Sequence, residues 1–245
     1  MIIRALITFA GLCLFWQALV SIFQMPHYIL PGPGAVFEQL ASSPGLFLKH
    51  ATITAIEIVL ALLIGLAAGF ATGVLIWQSA RAERWIWPLL LASQAVPVFA
   101  IAPLLVIWLG YGLASKVTMA VLIVFFPVTV AVVEGLRRIG PYWPEQAKLM
   151  QAKPWPFFWL VQLPSSLGTI GVGARIAAAT APIGAIVGEW VGASGGLGYL
   201  MLHANARMQI PTVFAALFCL LVFTLSLYGL VNFITRKLLF WTEER

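Results

Sequence analysis

A polar, proline-punctuated segment of the chain runs Glu145-Gln146-Ala147-Lys148-Leu149-Met150-Gln151 and closes, after nine further residues, on Val161-Gln162-Leu163-Pro164. Long apolar runs flank this segment on both sides. Its first eight residues can form about two helical turns, which are too few to be stable alone in water. We therefore expect the segment to lie outside a membrane and to be held by a partner that uses it.

The composition excludes an ordinary soluble domain. Apolar residues make up 62% of the 245 residues, charged residues make up only 9%, and the mean hydropathy is +0.99. A soluble protein of this length needs far more charge to cover its surface. Much of the surface must therefore be solvated by lipid.

Six apolar runs are long enough to cross a bilayer as helices, which takes about 17 to 25 residues. They cover residues 5–23, 51–77, 85–109, 117–133, 169–188 and 213–235. Backbone groups in lipid must be hydrogen-bonded within their own segment, so such runs predict helices. A transmembrane β-barrel would alternate in hydrophobicity, and this sequence does not. It predicts an all-α integral membrane protein with six transmembrane helices, built as one membrane domain over residues 1–245.

The net charge of +6 indicates topology and not a nucleic-acid partner. With a cytoplasmic N-terminus, the outer loops hold only Lys49, Lys116 and Arg207, and Arg175 begins the fifth span. The cytoplasmic segments hold the remaining basic residues: Arg4, Arg81, Arg84, Arg137, Arg138, Lys148, Lys153, Arg236, Lys237 and Arg245. This bias follows the positive-inside rule. Both termini are therefore predicted to be cytoplasmic, and no nucleic acid is expected to bind.

Residues 1–47 predict a first helix followed by an elbow on the outer side. The helix is expected to be retained, because no small-residue cleavage site of a signal peptide follows it. The elbow is Ile29-Leu30-Pro31-Gly32-Pro33-Gly34-Ala35-Val36, where each proline fixes its own φ and the geometry of the residue before it. Cys13 and Cys219 lie in apolar runs without the spacing of a metal site, so no metal is expected.

Three local patterns predict how the spans are shaped. Pro97 and Pro103 in the third run predict a broken helix, because each removes a backbone hydrogen bond; a kink that only improves packing is the alternative. The pairs Gly65/Gly69 and Gly184/Gly188 predict close helix contacts. Five glycines between residues 188 and 198 predict a re-entrant turn at the outer mouth.

The opening segment resembles the EAA loop of bacterial ATP-binding-cassette (ABC) importer permeases, which reads Glu-Ala-Ala, three residues, Gly, nine residues, Ile-x-Leu-Pro. The matching positions are Glu145, Ala147, Val161 (for isoleucine), Leu163 and Pro164. Gln146 and Gln151 depart from it. Residues 97–116 and 188–200 are similar to the permeases for sulfonates, nitrate and taurine. The resemblance implies a type I importer permease in the bacterial inner membrane, with its core over residues 48–236.

The resemblance also implies roles and partners. Residues 137–164 would be a cytoplasmic coupling loop in which Glu145 and Ala147 contact an ATPase and Leu163-Pro164 anchors the loop to the fifth span. Gln151 replaces a glycine that often takes φ > 0, so a wider turn is expected. The implied assembly is a permease homodimer with two ATP-binding cassette subunits and an extracytoplasmic binding protein. The chain has no phosphate-binding Gly-x-x-x-x-Gly-Lys-Ser/Thr loop, so ATP and Mg²⁺ are expected on the partner ATPase, and the chain itself would be no enzyme.

Residues 201–209 resemble one branch of these permeases, the importers of hydroxymethylpyrimidine, a thiamine precursor. A sulfonate, nitrate, taurine or riboflavin-like substrate is the alternative. A neutral pyrimidine prefers aromatic stacking and amide hydrogen bonds to fixed charge, and polar groups inside a membrane are functional candidates. The candidate pathway residues are Gln94, Pro97, Phe99, Pro103, Trp108, Glu189 and Trp190. For Glu189, capping a helix end or pairing with Arg207 is the alternative; Glu57 and Arg175 rank below the set.

Two other function classes fit the sequence less well. Gly192-Ala193-Ser194-Gly195 matches a serine-protease nucleophile motif, but no histidine follows the serine within a span to serve as the base that such catalysis needs. A secondary transporter would carry its own coupling ions and usually an inverted repeat. Neither feature is visible in the sequence.

Overall fold

The structure is a computed structural model, and it describes residues 2–140, 142–239 and 241. Within these residues all regular structure is helical, without a strand, as the sequence predicts. The elements in chain order are α1 (Ile2–Ile22), α2 (Pro33–Ser42), α3 (Pro44–Gln78), α4 (Ala80–Ala95), α5 (Val98–Leu109), α6 (Leu113–Arg137), α7 (Tyr142–Leu149), α8 (Pro154–Phe157), a π turn (Phe158–Gln162), α9 (Leu163–Gly192), α10 (Leu197–Ala206) and α11 (Ile210–Leu238).

Four of the described helices are long and apolar enough to cross a membrane: α3, α6, the run Pro154–Gly192 and α11. The pair α4 and α5 forms a fifth span if it is counted as one, although its two halves are bent by 102°. The apolar part of α1, Ile7–Ile22, is shorter than these spans. The predicted total of six spans and the cytoplasmic position of both termini stay predictions.

The centre of the fold is α6, which packs between α3 and α9 at glycine contacts. A Cβ added at Gly69 of α3 would lie 2.8 Å from Val128 of α6, and one at Gly73 would lie 2.6 Å from Val132. Successive residues along α3 contact successive residues along α6 in the same order, so these two helices are parallel. Such spacing leaves no room for a side chain, and the predicted close contact of the α3 glycines is confirmed.

Helices α9 and α6 also pack closely at glycines, but they run in opposite directions. A Cβ at Gly188 would lie 3.0 Å from Lys116, and Gly184 meets Ala120 of α6 even more closely. Residues later in α9 contact residues earlier in α6, so the two helices are antiparallel. The packing of α3, α6 and α9 brings the Gly192 end of α9 beside the N-terminal halves of α3 and α6, on the side that the sequence predicts to be the outer one.

The predicted break in the third run is confirmed at Pro97, where α4 ends and α5 begins. Pro97 is the N-cap of α5, a position where its missing N–H removes no helical bond. Pro103 lies inside α5 without ending it. The prediction of a break holds for one of the two prolines only.

Two boundaries differ from the sequence-based expectations. The helix of the fifth span begins at Pro154, not near residue 169, and the run to Gly192 has 39 residues. The π turn inside it accommodates Pro164, whose ring excludes the ordinary hydrogen-bonding pattern; the Leu163 N–H donates to the Phe158 carbonyl. The glycine-rich outer turn is also shorter than expected, since α9 continues to Gly192 and α10 begins at Leu197.

Candidate functional site

The candidate coupling segment is a helical hairpin at the end of the bundle. Helix α7 carries Glu145 in its first turn, where a negative charge favours the helix dipole. Glu145 and Gln146 are exposed, and Ala147 is half-buried. Glu145 is thus available to a partner, whereas Val161, Leu163 and Pro164 lie in the long helix that follows.

The turn after α7 keeps the geometry that a glycine would favour. Gln151 has φ +50°, and the Ala152 N–H donates to the Ala147 carbonyl at 2.9 Å. This bond is the 6→1 bond of a Schellman motif, with Gln151 at the position usually held by glycine. The expectation of a wider turn is wrong: the backbone is retained, and Gln151 adopts the left-handed conformation at the ordinary steric cost.

The tip of the hairpin presents apolar side chains to its surroundings. Leu149 is 84% exposed and Met150 is 81% exposed, directly after the motif residues Glu145 and Ala147. Adjacent large apolar side chains on an otherwise polar segment are typical of a docking surface. Sequence reasoning missed these two residues, although two apolar residues in the polar stretch Lys148–Gln151 were the available signal.

An aromatic cluster fixes the hairpin to the bundle. Phe158 of the π turn is buried, and its ring lies 5.4 Å from the Trp77 ring at the end of α3 and 6.1 Å from the Trp155 ring. The buried Gln162 amide donates to the Leu136 carbonyl near the end of α6 at 3.2 Å. The hairpin is therefore attached to α3, α6 and α9 together.

A buried polar cluster lies at the other end of α9. Glu189 is 1% exposed. Its carboxylate accepts hydrogen bonds from the Thr54 hydroxyl at 2.6 Å, from the Gly198 N–H, and from the Tyr199 N–H at 3.3 Å. These two amides begin α10, where helix N–H groups have no partner within the helix. Glu189 therefore caps α10 from a neighbouring helix.

Helix α3 supplies the remaining partners of the same turn. The Gly196 N–H donates to His50 Nδ1 at 3.0 Å, and the Leu197 N–H donates to Thr54 Oγ1 at 2.8 Å. Gly196 has φ +115°, and a side chain there would collide with the Glu189 carboxylate. Four consecutive amides are thus held by side chains of α3 and α9, so the outer turn is tied to the core helices.

An ion pair lies next to this cluster. Lys116 of α6 pairs with Glu57 of α3, and the side chains are 9% and 0% exposed. Buried charges persist in proteins when they are paired. The sequence analysis predicts Lys116 in an outer loop and Glu57 as a polar residue inside the membrane. The structure brings the two together inside the bundle.

Comparison with protein families gives one match that covers most of the chain. Residues 61–240 match the family described as "Binding-protein-dependent transport system inner membrane component". The chain is 44% identical, over 96% of its length and 96% of the relative's, to a probable ABC transporter permease protein of Haemophilus influenzae. The chain belongs to this family. It is a type I ABC importer permease, a multi-pass protein of the bacterial inner membrane.

Two further relatives have names that specify a transported molecule. The permease is 37% identical to the formylaminopyrimidine transport permease protein ThiX of Halalkalibacterium halodurans, over 94% of this chain and 90% of that protein. It is 38% identical to the riboflavin transport system permease protein RibX of Chloroflexus aurantiacus, over 96% and 88%. Both alignments are nearly full-length, so the similarity extends over the whole membrane domain.

A solved structure supports the fold. The permease matches a chain of the inward-facing MetNI methionine ABC transporter with a TM-score of 0.70, covering 80% of this chain and 97% of that chain. The identity is 19%, so the likeness concerns the fold. Permeases of this family work with a separate ATPase subunit, which hydrolyses the ATP, and with a substrate-binding protein. The protease and secondary-transporter alternatives are therefore excluded.

The permease does not gather all of its predicted pathway residues at one place. Gln94 and Pro97 flank the break between α4 and α5 and are exposed. Phe99 is 59% exposed just after the break, and Trp108 is 70% exposed near the end of α5. Pro103 is exposed within α5. These five candidates all belong to the α4–α5 pair, and a role for them in the pathway stays a prediction.

The two remaining candidates, both on α9, differ from each other. Trp190 is 46% exposed and lines a groove formed with Leu217 and Leu221 of α11, which the α4–α5 candidates do not line. Glu189, by contrast, is buried in hydrogen bonds to α3 and α10. Glu189 caps the start of α10, as the capping alternative expects. Its hydrogen-bond partners are Thr54 and the α10 amides, and Arg207 is not one of them.

Proposed function

We propose that the permease forms the pathway of an ATP-driven importer for a small, neutral, aromatic molecule, and that this molecule is a pyrimidine precursor of thiamine. The relative named for formylaminopyrimidine transport supports the proposal, with 37% identity over 94% of the chain. Because the riboflavin relative is 38% identical over 96% of the chain, identity alone does not select between the two substrates. The resemblance of residues 201–209 to hydroxymethylpyrimidine permeases therefore carries the proposal.

The charges inside the bundle also favour a neutral substrate. A sulfonate, nitrate or taurine sulfonate group requires a cation or several aligned donors. Lys116 is buried against Glu57, and Arg175 donates to the Thr235 hydroxyl. The exposed candidates Gln94 and Trp190 instead offer an amide and an aromatic face. These groups suit a pyrimidine ring, which stacks and forms amide-like hydrogen bonds.

We further propose how the ATPase drives the pathway. Two permease copies would pair, and an ATPase subunit binding ATP and Mg²⁺ would hold the tip formed by Leu149 and Met150 on each copy. The run Pro154–Gly192, which is helical throughout and includes the π turn Phe158–Gln162, extends from this hairpin past Glu189, about 58 Å for its 39 residues at the α-helical rise. Movement of the hairpin would therefore reach the outer turn through one continuous helical run.

The substrate proposal is tested by uptake into proteoliposomes that contain the permease, its ATPase and its binding protein. Labelled hydroxymethylpyrimidine, formylaminopyrimidine, riboflavin and taurine are compared, each with and without ATP. The expected result is ATP-dependent uptake of a pyrimidine only. Uptake of riboflavin alone, which the RibX relative makes the second candidate, or of taurine alone would reject the pyrimidine and leave the importer in place.

The dimer proposal has a separate test. The mass of the detergent-solubilised complex, measured by light scattering with the detergent subtracted, is expected to correspond to two permeases and two ATPases. A complex with a single copy of this chain and a different second permease would show that the pathway is heterodimeric and would contradict the proposal.

A further inference from the structure

One hydrogen bond between His50 of α3 and the outer turn, residues 193–196, fixes the protonation state of this histidine. His50 is 8% exposed, and its Nδ1 atom accepts from the Gly196 N–H at 3.0 Å. A backbone N–H can only donate, so Nδ1 must carry a free lone pair. A neutral imidazole accepts at one nitrogen and donates at the other, whereas a protonated imidazole donates at both. His50 is therefore neutral while the turn is closed, with its proton on Nε2.

A proton on Nδ1 is incompatible with the closed turn. It would place two N–H donors opposite each other, and the buried Gly196 amide would lose its acceptor. This amide cannot turn away alone, because the next three amides along the chain are held by side chains of α3 and α9. The His50 ring is also stacked on the Tyr199 ring, with 6.0 Å between centroids and 16° between planes. Protonation of His50 therefore requires the turn to open.

The charged groups packed near His50 already have partners or oppose a second positive charge. The Glu189 carboxylate of α9 accepts from a threonine hydroxyl and from two α10 amides. Glu57, further along α3, is paired with Lys116 of α6. Lys49, the exposed residue before His50, disfavours a positive charge on the imidazole. These side chains do not replace the bond that the Gly196 amide would lose.

Two titratable rings of α10 complete the surroundings. The Tyr199 ring would attract an imidazolium through its face, but this attraction leaves the clash between the two N–H groups in the plane of the His50 ring unrelieved. His203 lies beyond Tyr199, with 3.9 Å between the ring centroids, and is exposed. It can therefore take up its own proton without disturbing the turn.

We propose that His50 makes the outer turn sensitive to acid: the turn is closed while the imidazole is neutral and opens when Nδ1 takes up a proton. An imidazole in water has a pKa of about 6.5. Because the open turn binds a proton that the closed turn excludes, acid favours opening, by up to about tenfold for each pH unit below that value. Opening is thus favoured about 30-fold more at pH 5.0 than at pH 7.5. On the side predicted to be the outer one, acid would release α10 from α3 and α9.

Amide hydrogen exchange of the full permease in nanodiscs, measured by mass spectrometry at pH 5.0, 6.0 and 7.5, tests this proposal. The exchange rate of a peptide that includes residues 196–199 is divided by its intrinsic rate at each pH, which leaves the opening equilibrium. His50→Asn keeps an acceptor oxygen near the position of Nδ1 and does not titrate between these pH values. His203→Asn is the matched control, because it removes the exposed histidine of α10.

The wild type and His203→Asn are expected to open about 30-fold more at pH 5.0 than at pH 7.5. His50→Asn is expected to open equally at both pH values, whether or not its protection matches that of the wild type. Protection of the wild-type turn that does not depend on pH would overturn the proposal. A pH dependence that persists in His50→Asn would assign the titration to another group, such as Glu189, and would overturn it too. Loss of the dependence in His203→Asn would have the same consequence.

Discussion

Replacement of Glu189 by alanine is expected to release the outer turn from the core. The substitution removes the acceptor of the Gly198 and Tyr199 amides and of the Thr54 hydroxyl. Each buried amide left without an acceptor costs about 1–3 kcal/mol, so the two amides together account for about 2–6 kcal/mol. The loss is local, because the α3–α6–α9 glycine contacts do not involve the carboxylate. Glu189→Gln keeps one acceptor oxygen and the side-chain volume, and it is expected to lose about half as much.

Amide hydrogen exchange of the peptide containing residues 196–199, followed by mass spectrometry, measures this effect. If exchange occurs through local opening, a loss of 2–6 kcal/mol corresponds to acceleration by roughly 30-fold to 10⁴-fold. Glu38→Ala serves as the control, because Glu38 is an exposed acid on α2. Unchanged exchange in Glu189→Ala, with the wild-type protein well protected at these amides, would refute the capping role. Equal acceleration in the core helices would show global unfolding instead.

Three further changes have defined outcomes. Gly69→Val is expected to lower stability by about 1–3 kcal/mol or more, because its Cβ would lie 2.8 Å from Val128; Gly229→Val, where the space is open, is the control, and equal melting temperatures of the two variants would contradict the packing. Lys116→Met is expected to cost about 3–5 kcal/mol by leaving Glu57 buried and unpaired. Thermal unfolding checks this, and Lys116→Met combined with Glu57→Gln should recover much of the loss; no recovery would argue against the ion pair. Gln151→Gly is expected to keep ATPase binding, whereas Gln151→Val is expected to weaken it because a β-branched residue resists φ +50°. Equal ATPase retention in a pull-down of the two Gln151 variants would show that the turn geometry is not required.

The sequence predicts those features that depend on neighbours along the chain. Apolar runs of sufficient length predict the spans, and Pro97 predicts the break between α4 and α5. The small residues around Gly69 predict a close helix contact on α3, although they do not identify α6 as its partner. In each case the physical cause lies within about one helical turn of the residue concerned, so no tertiary information is needed.

Other features depend on residues that are distant in sequence or on competing local preferences. Glu57 and Lys116 are 59 positions apart, and only the packing of α3 on α6 makes them partners. Gln151 adopts a conformation that its own side chain disfavours, because the Schellman bond and the following helix fix the turn. Pro164 suggests the end of a loop, yet the helix starts ten residues earlier at Pro154 and widens into a π turn that accommodates Pro164.

We propose that an ATPase drives this permease by binding the exposed tip of the coupling hairpin, Leu149 and Met150. The most direct measurement is ATP-dependent substrate uptake and ATPase retention for Met150→Ser, with Met208→Ser as a matched control. Both methionines are exposed, at 81% and 61%, and both lie in turns after a helix. We expect Met150→Ser to lose retained ATPase and uptake together, while Met208→Ser retains its ATPase. Wild-type retention and uptake in Met150→Ser combined with Leu149→Ser would contradict it.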